Sequence, residues 1–266
     1  MASETTQTSK AEAFRALHEG AGFVLPNPWD AGSAKALATL GFEALATTSS
    51  GLAFTLGRQD GGATLDDVVE HIRAVDAATD LPVSADLEHG YGREPAATAM
   101  AITRAAEAGA VGGSIEDFDP VDGIYEPELA AERVAAAVET ARALEFPFTL
   151  TARAENHIRG NPDLDDTIAR LQAYEAAGAD VLYAPGLRSP DEIGAVCAAV
   201  SKPVNVLALP NLVLDEVFAA GAKRVSLGGW LAWVAVAAMA ETAAAIRDSG
   251  DLSGLAVSVR ADQLLG

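Results

Sequence analysis

Two carboxylates stand at the end of a short apolar run in this sequence. Asp86 and Glu88 follow Leu81-Pro82-Val83 at a spacing of two residues. In a β-strand, residues at that spacing point to the same face. Two carboxylates on one face repel each other, and a hard divalent cation is the simplest way to hold them together, since Mg²⁺ commonly takes one or two carboxylates and keeps several waters. A strand that ends in a solvated acidic turn is the alternative interpretation.

The rest of the chain alternates between apolar runs and helical patterns. Eight strands are predicted, each followed by a helix, at residues 23–27, 44–50, 81–88, 112–117, 146–155, 181–185, 203–209 and 224–228. This alternation indicates parallel βαβ units, and eight units in roughly 250 residues match an α/β protein with a (β/α)₈ barrel. An open doubly wound sheet is the competitor, but no glycine-rich dinucleotide turn follows the first strand.

The composition limits the classes of partner and location. A formal net charge of −20 opposes binding to nucleic acid and to anionic membrane surfaces. The single cysteine, Cys197, excludes an intrachain disulfide and favours the reducing cytoplasm. The longest apolar stretch, residues 231–245, is shorter than a membrane span requires. We expect one cytoplasmic domain over residues 1–266, with a loose polar leader over about residues 1–10.

Polar residues gather at the predicted strand ends, where barrels of this type carry their active sites. They are Asn27, Ser50, Asp86, Glu88, Glu116, Asp117, Arg153, Glu155, Tyr183, Asn205 and Ser226, with Asp60 in the loop after the second strand. Any one of them alone is typical of a helix cap or a loop salt bridge. Several acids around one arginine, however, need a cation or a proton to be tolerated near a barrel axis.

Four segments of the chain resemble the phosphoenolpyruvate mutase and isocitrate lyase superfamily. They are Ser50-Gly51-Leu52, Asp86-Leu87-Glu88-His89-Gly90-Tyr91-Gly92, Ser114-Ile115-Glu116-Asp117 and Thr151-Ala152-Arg153-Ala154-Glu155. The resemblance covers roughly residues 23–230. It implies a (β/α)₈ barrel, usually with the last helix exchanged between neighbouring subunits. It also implies Mg²⁺ as the cofactor, with Mn²⁺ as a substitute, and small 2-oxo or 2-hydroxy carboxylates as substrates.

The same resemblance implies a metal site at the strand ends. Asp86 would contact the metal, and Glu88 and Glu116 would hold its waters. Asp60 would lie near the metal in the loop after the second strand and take part in catalysis.

A substrate site is implied beside the metal. The backbone N–H groups of Ser50, Gly51 and Leu52, together with the Ser50 hydroxyl, would cradle the substrate carboxylate. Arg153 would bind the substrate's anionic end and act in catalysis, and Asn205 would line the substrate site from the seventh strand.

The loop after the fourth predicted strand departs from the lyases of the superfamily. Those lyases carry a basic-Cys-Gly-His run whose cysteine serves as an acid, whereas residues 118–126 here read Phe-Asp-Pro-Val-Asp-Gly-Ile-Tyr-Glu. The proline, the glycine and the acidic charges predict a hinged lid that closes only over bound metal and substrate. A proton for an enolate would then come from Tyr125, from a carboxyl group or from water. We therefore expect no appreciable cleavage of isocitrate or methylisocitrate.

The predicted function is Mg²⁺-dependent cleavage of a C–C bond in a small 2-oxo or 2-hydroxy acid through a metal-stabilised enolate, with P–C cleavage less favoured. An oxaloacetate decarboxylase or phosphonopyruvate hydrolase type of reaction is the alternative among enzymes. A metabolite-binding barrel without catalysis is the alternative of another class, and the intact acid cluster argues against it.

Trp230 and Trp233 share a face of an alanine-rich last helix, which predicts a homodimer or homotetramer.

Overall fold

The computed structural model describes residues 5–265, and its parallel strands alternate with helices along the chain. Within those residues the strands are β1 (Phe23–Leu25), β2 (Leu45–Ala46), β3 (Val83–Asp86), β4 (Gly112–Glu116), β5 (Phe118–Asp119), β6 (Gly123–Ile124), β7 (Thr149–Arg153), β8 (Val181–Tyr183), β9 (Val204–Leu207) and β10 (Arg224–Ser226). Each barrel strand is shorter than the apolar stretch that predicted it, because the last residues of the stretch leave the sheet and enter the loops.

Eight of these strands form one parallel sheet in the order β1-β10-β9-β8-β7-β4-β3-β2. The two outer strands meet through two hydrogen bonds. The Ala46 N–H donates to the Pro26 carbonyl oxygen at 3.0 Å, and the Asn27 side-chain amide donates to the Thr47 carbonyl oxygen at 3.0 Å. The sheet is thus nearly closed, and the prediction of a (β/α)₈ barrel is confirmed.

The helices surround the sheet. They are α1 (Gln7–Leu17), α2 (Ala31–Thr39), α3 (Ser49–Thr55), α4 (Leu65–Asp76), α5 (Pro95–Glu107), α6 (Pro127–Arg142), α7 (Leu164–Ala176), α8 (Pro190–Ala199), α9 (Leu214–Ala219) and α10 (Trp230–Ser249), with 3₁₀ turns at Ser253–Leu255 and Ala261–Leu264. Asp30 caps α2, because its carboxylate accepts the Ser33 N–H at 2.6 Å. Thr64 caps α4 in the same way, at 3.2 Å from the Asp67 nitrogen. These side chains satisfy N–H groups that have no partner in the first helical turn.

Helix α1 begins at Gln7, inside the leader predicted over about residues 1–10, and residues 1–4 of that leader lie outside the described residues. Lys10 is buried and donates to Asp76 Oδ1 at 2.7 Å. Phe14 is 0 % exposed and lies against the start of β4, where a Cβ on Gly112 would be only 2.8 Å from its ring. His18 stacks edge-on against Phe23 at the start of β1, with ring centroids 5.1 Å apart. The helix therefore closes the end of the barrel where the strands begin.

Helix α3 and a small hairpin replace two segments that the sequence predicted differently. A strand to residue 50 and a loop to residue 62 were predicted, but Ser49–Thr55 is helical because Thr48 caps it. Strands β5 and β6 pair as an antiparallel hairpin inside the predicted lid.

Helix α10 is longer than the apolar stretch noted in the sequence. It has 20 residues, of which Ala232 is the buried one, so most of its surface faces away from the barrel. By length and composition this helix meets the requirement for a membrane span. The apolar stretch noted in the sequence, residues 231–245, lies within this helix.

Phe14→Ala is expected to lower the free energy of unfolding by about 3–5 kcal/mol, because it leaves a cavity between α1 and the barrel. Urea denaturation followed by circular dichroism measures this loss. Glu12→Ala is the matched control, since Glu12 is exposed on the same helix and its removal should change the free energy by less than about 0.5 kcal/mol. A loss below about 1 kcal/mol for Phe14→Ala would mean that α1 is not part of the core.

Candidate active site

Two cavities lie at the carboxyl ends of the barrel strands. The outer one, the mouth cavity, has a volume of about 270 Å³, and the inner cavity beneath it has a volume of about 50 Å³. The mouth cavity is lined by Thr48, Ser49, Ser50, Asp60, Asp86, Arg153, Glu155, Ile158, Arg159, Tyr183, Leu207, Gly228, Gly229, Trp230 and Trp233. Asp86 and Arg153 line both cavities.

A larger cavity of about 510 Å³ lies beside α1, at the opposite end of the barrel. Its charged side chains are three basic and three acidic ones, Arg15, Arg142, Lys202, Glu19, Glu145 and Asp180. Because these charges balance and the strands begin there, we place the candidate site at the carboxyl ends of the strands, as in other barrels of this type.

Asp86 is the last residue of β3, and its backbone and side chain are both fixed. Its N–H donates to Thr47 Oγ1 at 2.8 Å. Its Oδ2 accepts the N–H of Ser49 at 3.1 Å, and its Oδ1 lies 3.9 Å from Arg153 Nη1. The carboxylate is therefore held between the first turn of α3 and the arginine of β7.

Glu88 lies in a tight turn directly after β3. Its φ is 46° and that of Tyr91 is 61°, so two non-glycine residues of this turn adopt the left-handed region. Such conformations persist only where the surrounding structure imposes them. The Tyr91 hydroxyl donates to Glu88 Oε1 at 3.2 Å. Arg133, which is buried on α6, donates to three backbone carbonyl oxygens of the same turn.

The acids of the site carry more negative charge than the nearby arginines neutralise. Burial raises the pKa of Glu88 to about 7, and the charges of Asp86 and Asp60 add to that rise. Burial also raises the pKa of Glu116 well above its usual range, although Arg153 opposes the effect. A bound cation would stabilise the charged forms of these carboxyl groups. The excess of buried carboxylates is the observation that makes this site fit a metal ion.

The geometry limits how such an ion would be bound. Within residues 5–265, no three carboxylate, histidine or cysteine side chains are grouped closely enough to ligate one ion together. Mg²⁺ does not need such a cage, since it binds through one or two carboxylates and retains waters. Among the three predicted metal residues, Asp86 lies close enough to Glu88 and to Glu116 for its charge to raise the pKa of both.

Two arginines and two glutamates form a square of charges at the strand ends. Glu155 is 0 % exposed; its Oε1 accepts the Arg153 Nε–H, and its Oε2 accepts the Arg159 Nε–H at 2.9 Å. Glu116 lies 3.3 Å from Arg153 Nη1 and 3.8 Å from Arg159 Nη2. Each arginine thus contacts both glutamates, which fixes the Arg153 guanidinium at the rim.

Asp117 stabilises this square of charges by holding Glu155 in position. Its Oδ1 accepts the Glu155 N–H at 2.7 Å. Its Oδ2 accepts the Tyr174 hydroxyl at 2.5 Å and the Arg170 Nη1–H at 3.0 Å. Asp117 therefore ties the ends of β4 and β7 to α7.

The predicted carboxylate cradle is only partly available. Ser50 lines the mouth cavity, and its hydroxyl is 3.2 Å from Thr48 Oγ1. Gly51 and Leu52 are buried in the first turn of α3. The Gly51 N–H donates to Thr48 Oγ1 at 3.4 Å, and the Leu52 N–H donates to the Thr48 carbonyl oxygen at 3.0 Å. These two N–H groups are already used by the helix cap, which corrects the expectation that both face the substrate.

Asn205 lies deeper than predicted, in the inner cavity. It donates to Ser226 Oγ at 2.9 Å and accepts the Arg224 Nε–H at 2.8 Å. Arg224 is 3 % exposed and also donates to Thr151 Oγ1 at 3.0 Å. Arg224 was not among the residues predicted from the sequence. Its position as the first residue of an otherwise apolar strand is the pattern that indicates a buried arginine.

Tyr125 is not brought into the cluster. It is 2 % exposed, its hydroxyl donates to Asp119 Oδ2 at 2.9 Å, and its ring lies 4.5 Å from the Arg133 guanidinium carbon. It lines neither the mouth cavity nor the inner cavity. The hypothesis that this phenol delivers a proton therefore has no geometric support.

The predicted acidic lid contains a hairpin in which Asp119 and Asp122 have hydrogen-bond partners. Asp119 accepts the N–H groups of Val121 at 2.7 Å and of Asp122 at 3.2 Å. Asp122 accepts from Arg93 at 2.8 Å. These contacts reduce the repulsion between the loop and the acidic site on which the prediction of ligand-dependent closure depended.

The first turn of α10 adds two aromatic side chains that the sequence assigned to core or subunit packing. Trp230 and Trp233 both line the mouth cavity, and Trp233 stacks edge-on against Phe54, with centroids 5.8 Å apart. Gly229 permits this arrangement. A Cβ on Gly229 would lie 2.5 Å from Ser50 Oγ and 2.6 Å from Trp233 Nε1.

A parallel barrel with an acidic cluster and oriented arginines at its carboxyl end has the architecture of an enzyme for small anionic substrates. Residues 14–247 match the sequence model of the phosphoenolpyruvate phosphomutase family. The chain belongs to this family, as the sequence motifs predicted.

Solved structures and curated relatives agree with this assignment. A protein of Burkholderia cenocepacia J2315, provisionally described as a lyase/mutase, is 53 % identical, with a TM-score of 0.94 over 97 % of this chain and 95 % of that chain. The oxaloacetate decarboxylase of Bradyrhizobium diazoefficiens is 31 % identical over 83 % of this chain and 79 % of its own length. A phosphonopyruvate hydrolase solved with oxalate and Mg²⁺ is 26 % identical, with a TM-score of 0.84 over 96 % and 94 % of the two chains. The prediction of a superfamily lyase is confirmed at the level of enzyme class.

Millimolar Mg²⁺ or Mn²⁺ is expected to raise the melting temperature, because an ion that binds only the folded state stabilises it, by about 2.7 kcal/mol at a hundredfold excess over Kd. Asp86→Asn should abolish the shift. Differential scanning fluorimetry with and without oxalate measures it. Asp165→Asn, a change in an exposed carboxylate on α7, should keep the wild-type shift. A wild-type melting curve that Mg²⁺ leaves unchanged under both conditions would contradict the metal site.

Proposed function

We propose that this protein is a Mg²⁺-dependent enzyme that cleaves a C–C bond of a small 2-oxo or 2-hydroxy carboxylate through an enolate. The observation that carries the proposal is the excess of buried carboxylates around Arg153 at the mouth of the barrel. The decarboxylase relative supports it through sequence similarity, and the hydrolase solved with oxalate and Mg²⁺ supports it through its similar fold.

The metal residues follow from the charge distribution and the family resemblance. Asp86 is assigned as the direct ligand, and Glu88 and Glu116 as the residues that hold the ion's waters. Bound Mg²⁺, or Mn²⁺ in its place, supplies the positive charge that stabilises an enolate oxygen. Asp60, which lines the mouth cavity, is assigned to orient water or substrate beside this cluster.

The protein's own side chains bind and orient the substrate. The Ser50 hydroxyl binds the carboxylate next to the reacting oxygen, and Thr48 orients that hydroxyl. Arg153 binds the anionic end of the substrate. Its Nε–H is held by Glu155, so the guanidinium is already oriented before the substrate arrives and loses little freedom on binding.

A decarboxylase or phosphonopyruvate hydrolase type of reaction is the second candidate, and the loop after β4 favours it. Residues 118–126 contain no cysteine, lysine or histidine, and the Tyr125 hydroxyl is bonded to Asp119. An enolate formed in this site therefore takes its proton from water or from a carboxyl group. Decarboxylation of oxaloacetate and hydrolysis of phosphonopyruvate both need the enolate site, and both release pyruvate.

The proposal includes a cytoplasmic homodimer or homotetramer that assembles through α10. Val234 and Met239 on this helix are 65 % and 61 % exposed. Exposed apolar side chains on one helix favour an interaction site, and an alanine-rich helix permits close approach of a second copy.

Purified protein with Mg²⁺ is expected to release pyruvate from oxaloacetate or phosphonopyruvate, and no glyoxylate or pyruvate from isocitrate or methylisocitrate. Coupled assays for both products measure this. Iodoacetamide should leave any activity unchanged, because burial raises the pKa of the half-buried Cys197 thiol to about 11 and little thiolate forms. Glyoxylate release from isocitrate that iodoacetamide abolishes would contradict the interpretation of the loop and of Cys197.

Light scattering at micromolar concentration is expected to show a dimer or a tetramer, and Met239→Glu is expected to shift it toward monomer. Met100→Glu is the matched control, since Met100 is 57 % exposed on α5 and its replacement should leave the mass unchanged. A wild-type monomer would contradict the oligomer.

A further inference from the structure

A second arginine faces the mouth cavity without a role in the proposed function. Arg159 follows β7 in the chain, and its side chain is 38 % exposed, against 17 % for Arg153. Among the described residues, these two supply the only cationic side chains that line the mouth cavity. The sequence motif predicted Arg153 as a site residue but did not predict Arg159.

The guanidinium of Arg159 is oriented by three contacts. Its Nε donates to Glu155 Oε2 at 2.9 Å, its Cζ lies 3.9 Å from the centroid of the Phe118 ring, and its Nη2 is 3.8 Å from Glu116 Oε1. Within residues 5–265, neither of its Nη groups donates a hydrogen bond. The contact of Nη2 with Glu116 at 3.8 Å is an ion pair and is longer than a hydrogen bond. An oriented guanidinium with both Nη groups available suits two-pronged recognition of a carboxylate.

Glu155 places the two arginines side by side. One of its carboxylate oxygens holds Arg153 and the other holds Arg159. Glu155 is itself fixed, because its N–H is bonded to Asp117 and its side chain is fully buried. The two guanidiniums therefore lie on the same wall of the mouth cavity and are oriented by one carboxylate.

The remainder of the cavity wall explains why this arginine pair would discriminate. Ile158, Leu207 and Trp230 are apolar or aromatic, and Asp60 and Asp86 are acidic. A carboxylate at the far end of a substrate is repelled by the acids and gains nothing from the apolar wall. The arginine pair is the one place among the described residues of this cavity that favours it.

We propose that Arg159 is a specificity-determining residue that binds, together with Arg153, the carboxylate at the end of the substrate remote from the 2-oxo or 2-hydroxy group. The site then selects four- or five-carbon dicarboxylates over monocarboxylates of the same length. This inference rests on the proposed function, in which Arg153 binds the anionic end of the substrate.

Binding by isothermal titration calorimetry in Mg²⁺ tests the proposal. Malate and 2-hydroxybutyrate are the probes, because they differ only by a terminal carboxylate in place of a methyl group. Oxalate is the third probe, since it lacks a remote end. Arg159→Gln is expected to weaken malate binding about tenfold, the loss of one charge-assisted hydrogen bond. It should change the affinities for 2-hydroxybutyrate and oxalate by less than about twofold.

Two further variants sharpen the comparison. Arg159→Lys keeps the charge but not the planar fork, so it should recover part of the malate affinity. Arg73→Gln removes one positive charge from an exposed position on α4 and should leave all three affinities unchanged. Circular dichroism of each variant verifies the fold.

The outcomes separate this inference from the proposed function. Oxalate that fails to bind the wild-type protein with Mg²⁺ overturns the proposed function, and the inference falls with it. Oxalate that binds, while malate binds no more tightly than 2-hydroxybutyrate, overturns the inference alone. An Arg159→Gln variant that weakens all three ligands equally, or none, also overturns it.

Discussion

Buried negative charge at the carboxyl ends of the strands is the constraint to which the rest of this structure responds. A carboxylate taken out of water needs a cation, a proton or several hydrogen bonds. Glu155 obtains two arginines, and Glu116 shares both of them. Among residues 5–265, the Glu88 carboxylate accepts one side-chain hydrogen bond, from the Tyr91 hydroxyl, and burial raises its pKa although the charge of Arg153 opposes this rise. In the proposed function, a bound Mg²⁺ ion would supply the missing positive charge.

The surrounding side chains keep these charges in position. Asp117 joins the ends of β4 and β7 to α7. Arg133 holds the turn that carries Glu88 through its backbone carbonyl groups, although it contacts no substrate-facing atom. An active site must hold its groups within a fraction of an ångström of the productive geometry. The strained φ of Glu88 therefore depends on packing that lies behind the site.

The fold and the acid cluster define a class of enzyme but do not fix one reaction. Enolate chemistry requires a cation beside the enolate oxygen, a pocket that binds the substrate carboxylate, and an oriented positive group that pairs with the substrate's anionic end. The mouth of the barrel offers residues for each of these three. What differs among reactions is the group that delivers or removes a proton. Here the loop after β4 contains a hairpin in which Asp119 and Asp122 accept hydrogen bonds and Tyr125 is buried. The specificity of the site therefore depends on the wall of the mouth cavity more than on this loop.

The sequence by itself determined the barrel and the acids at the strand ends, because the hydrophobic period and the order of strands and helices are local patterns. Only the tertiary structure decided that α1 seals the barrel, that the Gly51 N–H is used by a helix cap, and that Tyr125 points away from the site. These outcomes depend on contacts between residues far apart in the chain and on side-chain direction, and neither leaves a local period in the sequence. Arg159 was not predicted from the sequence for the same reason, because the role of an arginine in a loop depends on the buried glutamate that orients it.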